Sequence, residues 1–174
     1  MTDERLARFE QIILPHLGAA YNLARWLTRD AHDADDVVQE AYLRAYQFFD
    51  GFHGSDGRSW LLRVVRNTCY TWLERNRSRQ PTQAFDETKH SKGQSEPGPE
   101  APLVAGENKD LLWRALADLP DEFREAIVLR ELEGMSYKEI AAVTGAPIGT
   151  VMSRLARGRA QLQECLTRYM PEEH

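Results

Sequence analysis

Residues 136–159 read SYKEIAAVTGAPIGTVMSRLARGR, and this stretch predicts two short helices joined by a tight turn. Ser136 and Glu139 have the spacing of a capping box, in which each residue satisfies a backbone amide of the other at a helix start. Gly145 supplies the left-handed conformation that a tight turn needs, and Pro147 suits the first position of the following helix. The stretch therefore predicts a helix-turn-helix.

The second of these helices has an apolar side and a basic side. Val151, Leu155 and Leu162 fall on one stripe that we expect to face the core. Small and basic residues outward on such a helix are typical of DNA readers, although a plain helical hairpin with a solvated arginine face is the alternative. We expect Arg154 and Arg159 to contact phosphates rather than bases. The candidate DNA contacts are Thr150, Met152, Ser153, Arg154, Ala156, Arg157 and Arg159.

The rest of the chain also shows helical periodicity. Apolar residues recur at three-to-four spacing over 17–27 and 34–49, and a third long helix is predicted from about Ser59 to Arg77. Residues 80–107 contain four prolines and almost no large apolar side chains, so we interpret them as a flexible linker. The sequence therefore predicts an all-α chain with two small domains, 1–79 and 108–174.

Charge and composition exclude several classes of protein. The net charge is -5, but residues 30–40 hold five acids and no base, whereas residues 58–79 hold six arginines and one acid. The two cysteines, Cys69 and Cys165, form no CxxC pattern, which argues against a disulfide scaffold or zinc finger. No catalytic triad, metal-ligand spacing or phosphate-binding glycine loop occurs, so we expect no enzymatic activity, metal or cofactor. With no signal peptide and no long apolar run, we expect a cytoplasmic protein outside the membrane.

Three stretches carry a family resemblance. Residues 33–45 read DADDVVQEAYLRA, residues 60–68 read WLLRVVRNT, and residues 117–162 include the helix-turn-helix. In order and spacing they resemble the polymerase-binding helix, promoter-melting helix and promoter-reading domain of extracytoplasmic-function (ECF) sigma factors. These are small two-domain bacterial initiation factors, and the resemblance covers nearly all of the chain outside the linker.

The resemblance implies that the acidic helix docks on the clamp helices of the largest subunit of core RNA polymerase. Carboxylates and an amide at positions i, i+1, i+4 and i+5 present one polar face to such a basic partner. A solvated helix N-terminus and a carboxylate metal site are the alternatives, and no further carboxylate or histidine pattern completes a metal shell. The residues implied are Asp35, Asp36, Gln39, Glu40 and Tyr42.

The resemblance also implies that the N-terminal domain separates the promoter strands and captures a flipped base. The loop over 52–58 is placed like the family's specificity loop, but Gly57 stands where family members often have an aromatic residue. We interpret Trp60 and Trp72 as core residues. The melting residues implied are Phe52, Ser55, Asp56, Arg58, Arg63, Arg66, Asn67, Arg75 and Arg77.

The sequence thus predicts an alternative sigma factor that binds core polymerase and promoter DNA. Most family members are held inactive by an anti-sigma factor, so the resemblance implies such a partner here. Three other classes of protein stay open on the residues alone. They are a stand-alone helix-turn-helix regulator, a metal-dependent nuclease using the acids of 33–40, and an interaction adaptor.

Overall fold

A computed structural model describes residues 2–79 and 106–169. Within these ranges the chain is helical and has no β-strand, which confirms the predicted all-α class. No helix in the described ranges is both long enough and apolar enough to cross a membrane. The helices are α1 (Thr2–Ile13), α2 (Leu17–Thr28), α3 (Ala31–Gln47), α4 (Gly57–Arg79), α5 (Gly106–Ala117), α6 (Asp121–Ile127), α7 (Tyr137–Thr144) and α8 (Ile148–Tyr169), with 3-10 turns at Leu14–His16 and Phe49–Gly51 and a π-helical segment at Val128–Leu132.

The predicted linker lies outside the described residues except at its last two positions. There α5 already begins at Gly106, while the predicted C-terminal domain begins at residue 108. The third long helix, α4, extends two residues beyond its predicted bounds at each end.

Helices α1 to α4 form the N-terminal half around an aromatic cluster. Phe9 of α1 is fully buried, and its ring meets the rings of Tyr42, Tyr46 and Phe49 edge-on, each at 5.1 Å between centroids. Edge-to-face packing is the preferred arrangement for such rings. The cluster thus fixes α1 against α3.

Asp30 caps α3, because its carboxylate accepts a hydrogen bond from the backbone N–H of residue 33 at 3.0 Å.

Gly57, the departure from the family pattern, has a steric reason. A Cβ at this position would lie 2.6 Å from Cγ2 of Ile12 and 3.1 Å from its carbonyl oxygen. The first turn of α4 therefore approaches α1 too closely for any side chain, least of all an aromatic one.

A buried arginine organises the C-terminal half. Arg124 of α6 is fully buried and donates to the carbonyl oxygens of Leu116 and Leu119 at 3.2 and 2.6 Å. It also forms an ion pair with Asp121. Because these carbonyls lie in the last turn of α5 and just beyond it, the cation meets the negative end of that helix dipole. Arg124 thereby joins α5 to α6.

The two halves contact each other directly. The indole rings of Trp26 and Trp113 stack with centroids 3.9 Å apart, and the guanidinium of Arg25 lies 4.6 Å from the centre of the Trp113 ring. Arg124 donates to the carbonyl of Trp26 at 3.1 Å, and Arg29 donates to the carbonyl of Ala117 at 2.8 Å. Buried apolar residues of both halves form one continuous cluster. The predicted domains are therefore packed together in this structure.

Candidate nucleic-acid interface

The helix-turn-helix forms as the sequence predicts. The Ser136 hydroxyl accepts from the Glu139 amide at 3.1 Å, and the Glu139 carboxylate accepts from the Ser136 amide at 2.9 Å. Gly145 ends α7 with a φ of 75°, in the left-handed region. These local contacts set the direction in which α8 leaves the turn.

The first turns of α8 present the predicted reading face to solvent. Val151 and Leu155 are buried, as predicted, and Leu162 is half-buried against the core. Thr150 is half-buried. The outward side chains expected to reach bases are exposed, namely Met152, Ser153, Ala156 and Arg157. Ile148 is exposed beside them, which the sequence reasoning missed.

The two arginines expected to contact phosphates already have acidic neighbours. Arg159 pairs with Glu131 at 2.7 Å, and both side chains are about half exposed. Arg154 lies 3.9 Å from Glu122. An exposed pair such as Arg159–Glu131 and a long contact such as Arg154–Glu122 are both weak interactions. Both arginines therefore remain suited to phosphate contacts.

The acidic helix α3 presents a second polar face. Asp35, Asp36 and Gln39 are exposed along one side. Glu40 is paired with Arg44 at 2.8 Å and lies 3.5 Å from Arg75. Among residues 2–79 and 106–169, no three His, Cys, Asp or Glu side chains are grouped to hold a metal ion.

One exposed apolar side chain extends this face, and another lies at the C-terminal end of α3. Leu43 and Phe48 are 65% and 64% exposed, and Leu43 follows Gln39 by one helical turn. Sequence reasoning missed both, although for Leu43 the i+4 spacing from Gln39 was a usable signal. Tyr42 instead packs half-buried against Phe9, and burial raises the pKa of its hydroxyl.

Three arginines of the predicted melting helix contact the C-terminal half. Arg58 donates to the carbonyl of Glu133 at 3.1 Å and lies 3.5 Å from the carboxylate of Glu139. Arg63 donates to the carbonyl of Ala142 in α7 at 3.1 Å. In this arrangement Arg58, Arg63 and Arg66 each contact the other half, although Arg63 stays exposed.

Arg66 makes the most buried of these contacts. Its Nε donates to Glu125 Oε2 at 2.6 Å, and its guanidinium lies 4.4 Å from the centre of the Tyr70 ring. The Tyr70 hydroxyl donates to Glu125 Oε1 at 3.1 Å. The Glu125 side chain is 1% exposed. Burial raises the pKa of the Glu125 carboxyl, and Arg66 and Tyr70 oppose the rise.

The structure corrects the role predicted for Phe52. Phe52 is 4% exposed, and its ring stacks on Phe49 and contacts Trp60, so it belongs to the core and not to a DNA surface. Asp56 accepts from the Ser59 amide at 3.0 Å and so caps α4, which gives it a structural role.

The other melting candidates lie on the same helix or the loop before it. Ser55 and Asn67 are exposed, and Asn67 accepts from Arg66 at 3.4 Å. Arg75 is exposed near Glu40 of α3. The side chain of Arg77 lies outside the described part of the chain.

The remaining expectations on α4 concern core residues. Trp60 and Trp72 are half-buried against the apolar cluster. Cys69 is fully buried, and burial raises the pKa of its thiol far above the physiological range. This thiol is therefore unreactive while the two halves are packed together.

Comparisons with known proteins match both halves. The family model "Sigma-70 region 2" matches residues 12–79, and "Sigma-70, region 4" matches residues 109–162. The chain is 34% identical over 164 residues to the ECF RNA polymerase sigma factor SigE of Mycolicibacterium smegmatis, a match that covers 94% of this chain and 63% of that protein. It is 37% identical over 134 residues to the ECF RNA polymerase sigma-E factor of Escherichia coli K12, covering 73% and 70% of the two chains. The chain thus spans less than two thirds of the mycobacterial relative.

Two solved structures share the fold over most of the chain. The sigma factor RpoE in complex with the anti-sigma factor NepR, from Bartonella quintana, superposes with a TM-score of 0.72 and 30% identity, covering 94% of this chain and 99% of that one. CnrH in complex with the cytosolic domain of CnrY gives a TM-score of 0.64 and 28% identity, covering 93% and 89%.

Proposed function

Because the chain belongs to the ECF sigma factors, we propose that it binds core RNA polymerase and directs it to a set of promoters. Sigma factors are DNA-binding transcription regulators, and we propose that this one performs no catalytic step itself. The observation that carries the proposal is the presence in one chain of an exposed acidic face on α3 and an exposed reading face on α8. The site of action is the cytoplasm, where polymerase works.

Polymerase docking is assigned to α3. Asp35, Asp36 and Gln39 offer an exposed polar face for basic residues of the clamp helices, with Glu40 at its edge. Leu43 continues the face with an apolar contact that would be buried on binding. Tyr42 supports the face from beneath by packing on Phe9.

Promoter reading is assigned to α8. Met152, Ser153, Ala156 and Arg157 would face base edges in the major groove, and Thr150 lies at the start of this face. Arg154 and Arg159 would exchange their exposed acidic neighbours for phosphates. An arginine at a base edge gives sequence preference, whereas the phosphate contacts give affinity without sequence information.

Strand separation is assigned to α4 and the loop before it. The arginines suit the phosphates of a melted strand, and Asn67 is exposed beside Arg66. We keep residues 1–79 and 108–174 as two functional domains joined by 80–107. The candidate contacts are Ser55, Arg58, Arg63, Arg66, Asn67, Arg75 and Arg77.

Control by an anti-sigma factor follows from the structural neighbours. The sigma factor RpoE was solved with the anti-sigma factor NepR bound, and CnrH, which has the same fold, was solved with the cytosolic domain of CnrY. We propose that this chain has such a partner, which would compete for the surfaces that polymerase needs.

The test is a pull-down of the purified chain with core RNA polymerase, followed by transcription from a promoter library. Stoichiometric binding and new start sites are expected. Tight duplex binding without polymerase would indicate a stand-alone regulator, and cleavage with a divalent cation would indicate a nuclease. Failure to bind polymerase, in protein free of inhibitor, would overturn the proposal and favour an adaptor.

A further inference from the structure

The packing of the two halves against each other, called closure below, engages part of one functional surface and leaves two open. The reading face of α8 and the acidic face of α3 are exposed. In contrast, Arg58, Arg63 and Arg66 of the melting helix all contact the C-terminal half. Closure therefore engages three of the arginines assigned to strand separation and none of the residues assigned to the other two surfaces.

Among these contacts, the one at Arg66 differs in kind. Arg63 donates to a neutral backbone carbonyl, and the Arg58–Glu139 pair is about one third exposed on both sides. Glu125 brings a full negative charge into the interface, where its side chain is 1% exposed. A charge so buried depends on its partners, because an uncompensated buried charge is strongly unfavourable.

The geometry around Glu125 resembles the binding of a phosphate. Its two oxygens lie 2.6 and 3.5 Å from Nε and an Nη of Arg66, so the guanidinium meets them with two neighbouring nitrogens. Guanidinium binds carboxylates and phosphates in the same two-pronged way. The Tyr70 hydroxyl supplies a third donor at 3.1 Å. A backbone phosphate would find the same donors at the same place.

We propose that Glu125 competes with the backbone phosphate of melted DNA for Arg66 and Tyr70, so that closure and strand capture exclude each other. If a phosphate takes Arg66, the buried Glu125 loses its hydrogen-bonded cation and keeps only the electrostatic attraction of Arg154, so exposure of the carboxylate to water becomes more favourable. The single strand therefore opens the two halves as it binds. This inference rests on the proposed role of α4 in strand separation.

The first test uses the unaltered interface. Dyes are placed by Gln11→Cys on α1 and Gln161→Cys on α8, both exposed sites, while the two natural cysteines are buried. Energy transfer between the dyes is measured as a single-stranded oligothymidine is added. We expect transfer to fall with the same midpoint as oligonucleotide binding. Binding that leaves the transfer unchanged would overturn the proposal.

The second test replaces Glu125, the residue that is proposed to compete with the phosphate. In E125A we expect lower energy transfer between the dyes in the absence of DNA, since breaking a buried ion pair destabilises the packing of the two halves. We also expect its affinity for oligothymidine to be about tenfold higher or more. The charge-swapped R66E/E125R should close again but lack the gain in affinity. E164A is the matched control, because it removes an exposed glutamate of the C-terminal half that pairs with none of the proposed DNA contacts. Unchanged transfer and affinity in a helical E125A would contradict the proposal.

Failure of this inference and of the proposed function are separable. Glu125 is distant in sequence from the acidic face of α3, and E125A keeps that face intact. A chain that binds polymerase and initiates transcription, yet shows no competition at Arg66, would refute the inference alone. A chain that never binds polymerase would refute the proposed function, whatever the dyes report.

Discussion

Replacing Arg124 by methionine should destabilise the protein severely. Methionine keeps much of the length and apolar stem but has no donor. The backbone carbonyls of Leu116, Leu119 and Trp26 would each lose a hydrogen bond from a side chain that is fully buried. A buried acceptor left without its donor costs about 1 kcal/mol or more, so three carbonyls give about 3 kcal/mol.

The loss is measurable by urea unfolding followed by helical circular dichroism. For an m-value of about 2 kcal/mol/M, the midpoint should fall by about 1.5 M. Arg114→Met is the matched control, because Arg114 lies exposed on α5, and its midpoint should move by less than about 0.3 M. If R124M and R114M unfolded at the same midpoint, Arg124 would not join the helices as described.

Four further results are expected. Gly57→Ala should lower the unfolding midpoint, because its Cβ would lie 2.6 Å from a methyl of α1, whereas Gly149→Ala, where a Cβ meets nothing within 4 Å, should change it little. Asp36→Ala should weaken polymerase capture without loss of helix content, and Glu164→Ala, an exposed acid on α8, should leave capture unchanged. Arg157→Ala should weaken promoter binding by about 1–3 kcal/mol at promoters with an intact upstream element. An unchanged promoter preference would show that Arg157 does not read a base. Burial and the nearby Arg58 lower the pKa of His16. The neutral imidazole therefore contributes to the free energy of unfolding above pH 6.5, and this contribution is lost as the pH falls through the lowered pKa. His16→Gln should make the free energy of unfolding less dependent on pH in this acidic range.

The local signals in the sequence were sufficient for the helix-turn-helix. A capping box, a glycine turn and an apolar stripe all act within a few residues, so the cap at Ser136, the turn at Gly145 and the burial of Val151 were predictable. The same holds for the all-α class, which follows from the periodicity of the apolar residues.

Contacts between the halves were not predictable in the same way. Arg66 and Glu125 are 59 residues apart, and neither residue's neighbours in sequence indicate the other. A row of arginines looks equally suited to phosphates whether it faces solvent or protein. Phe52 illustrates the same limit, because its place in the core depends on Phe49 and Trp60, which reach it from different elements.

The stacked indoles of Trp26 and Trp113 have a spectroscopic consequence. The chain holds four tryptophans, and these two lie on opposite halves with ring centres 3.9 Å apart. Indoles at that separation couple their excited states and quench one another, whereas isolated indoles emit independently. Separation of the halves would therefore change both the circular dichroism and the intrinsic emission of these two indoles. The two tryptophans thus give an intrinsic spectroscopic signal of the packing of the two halves, which can be recorded without an attached dye.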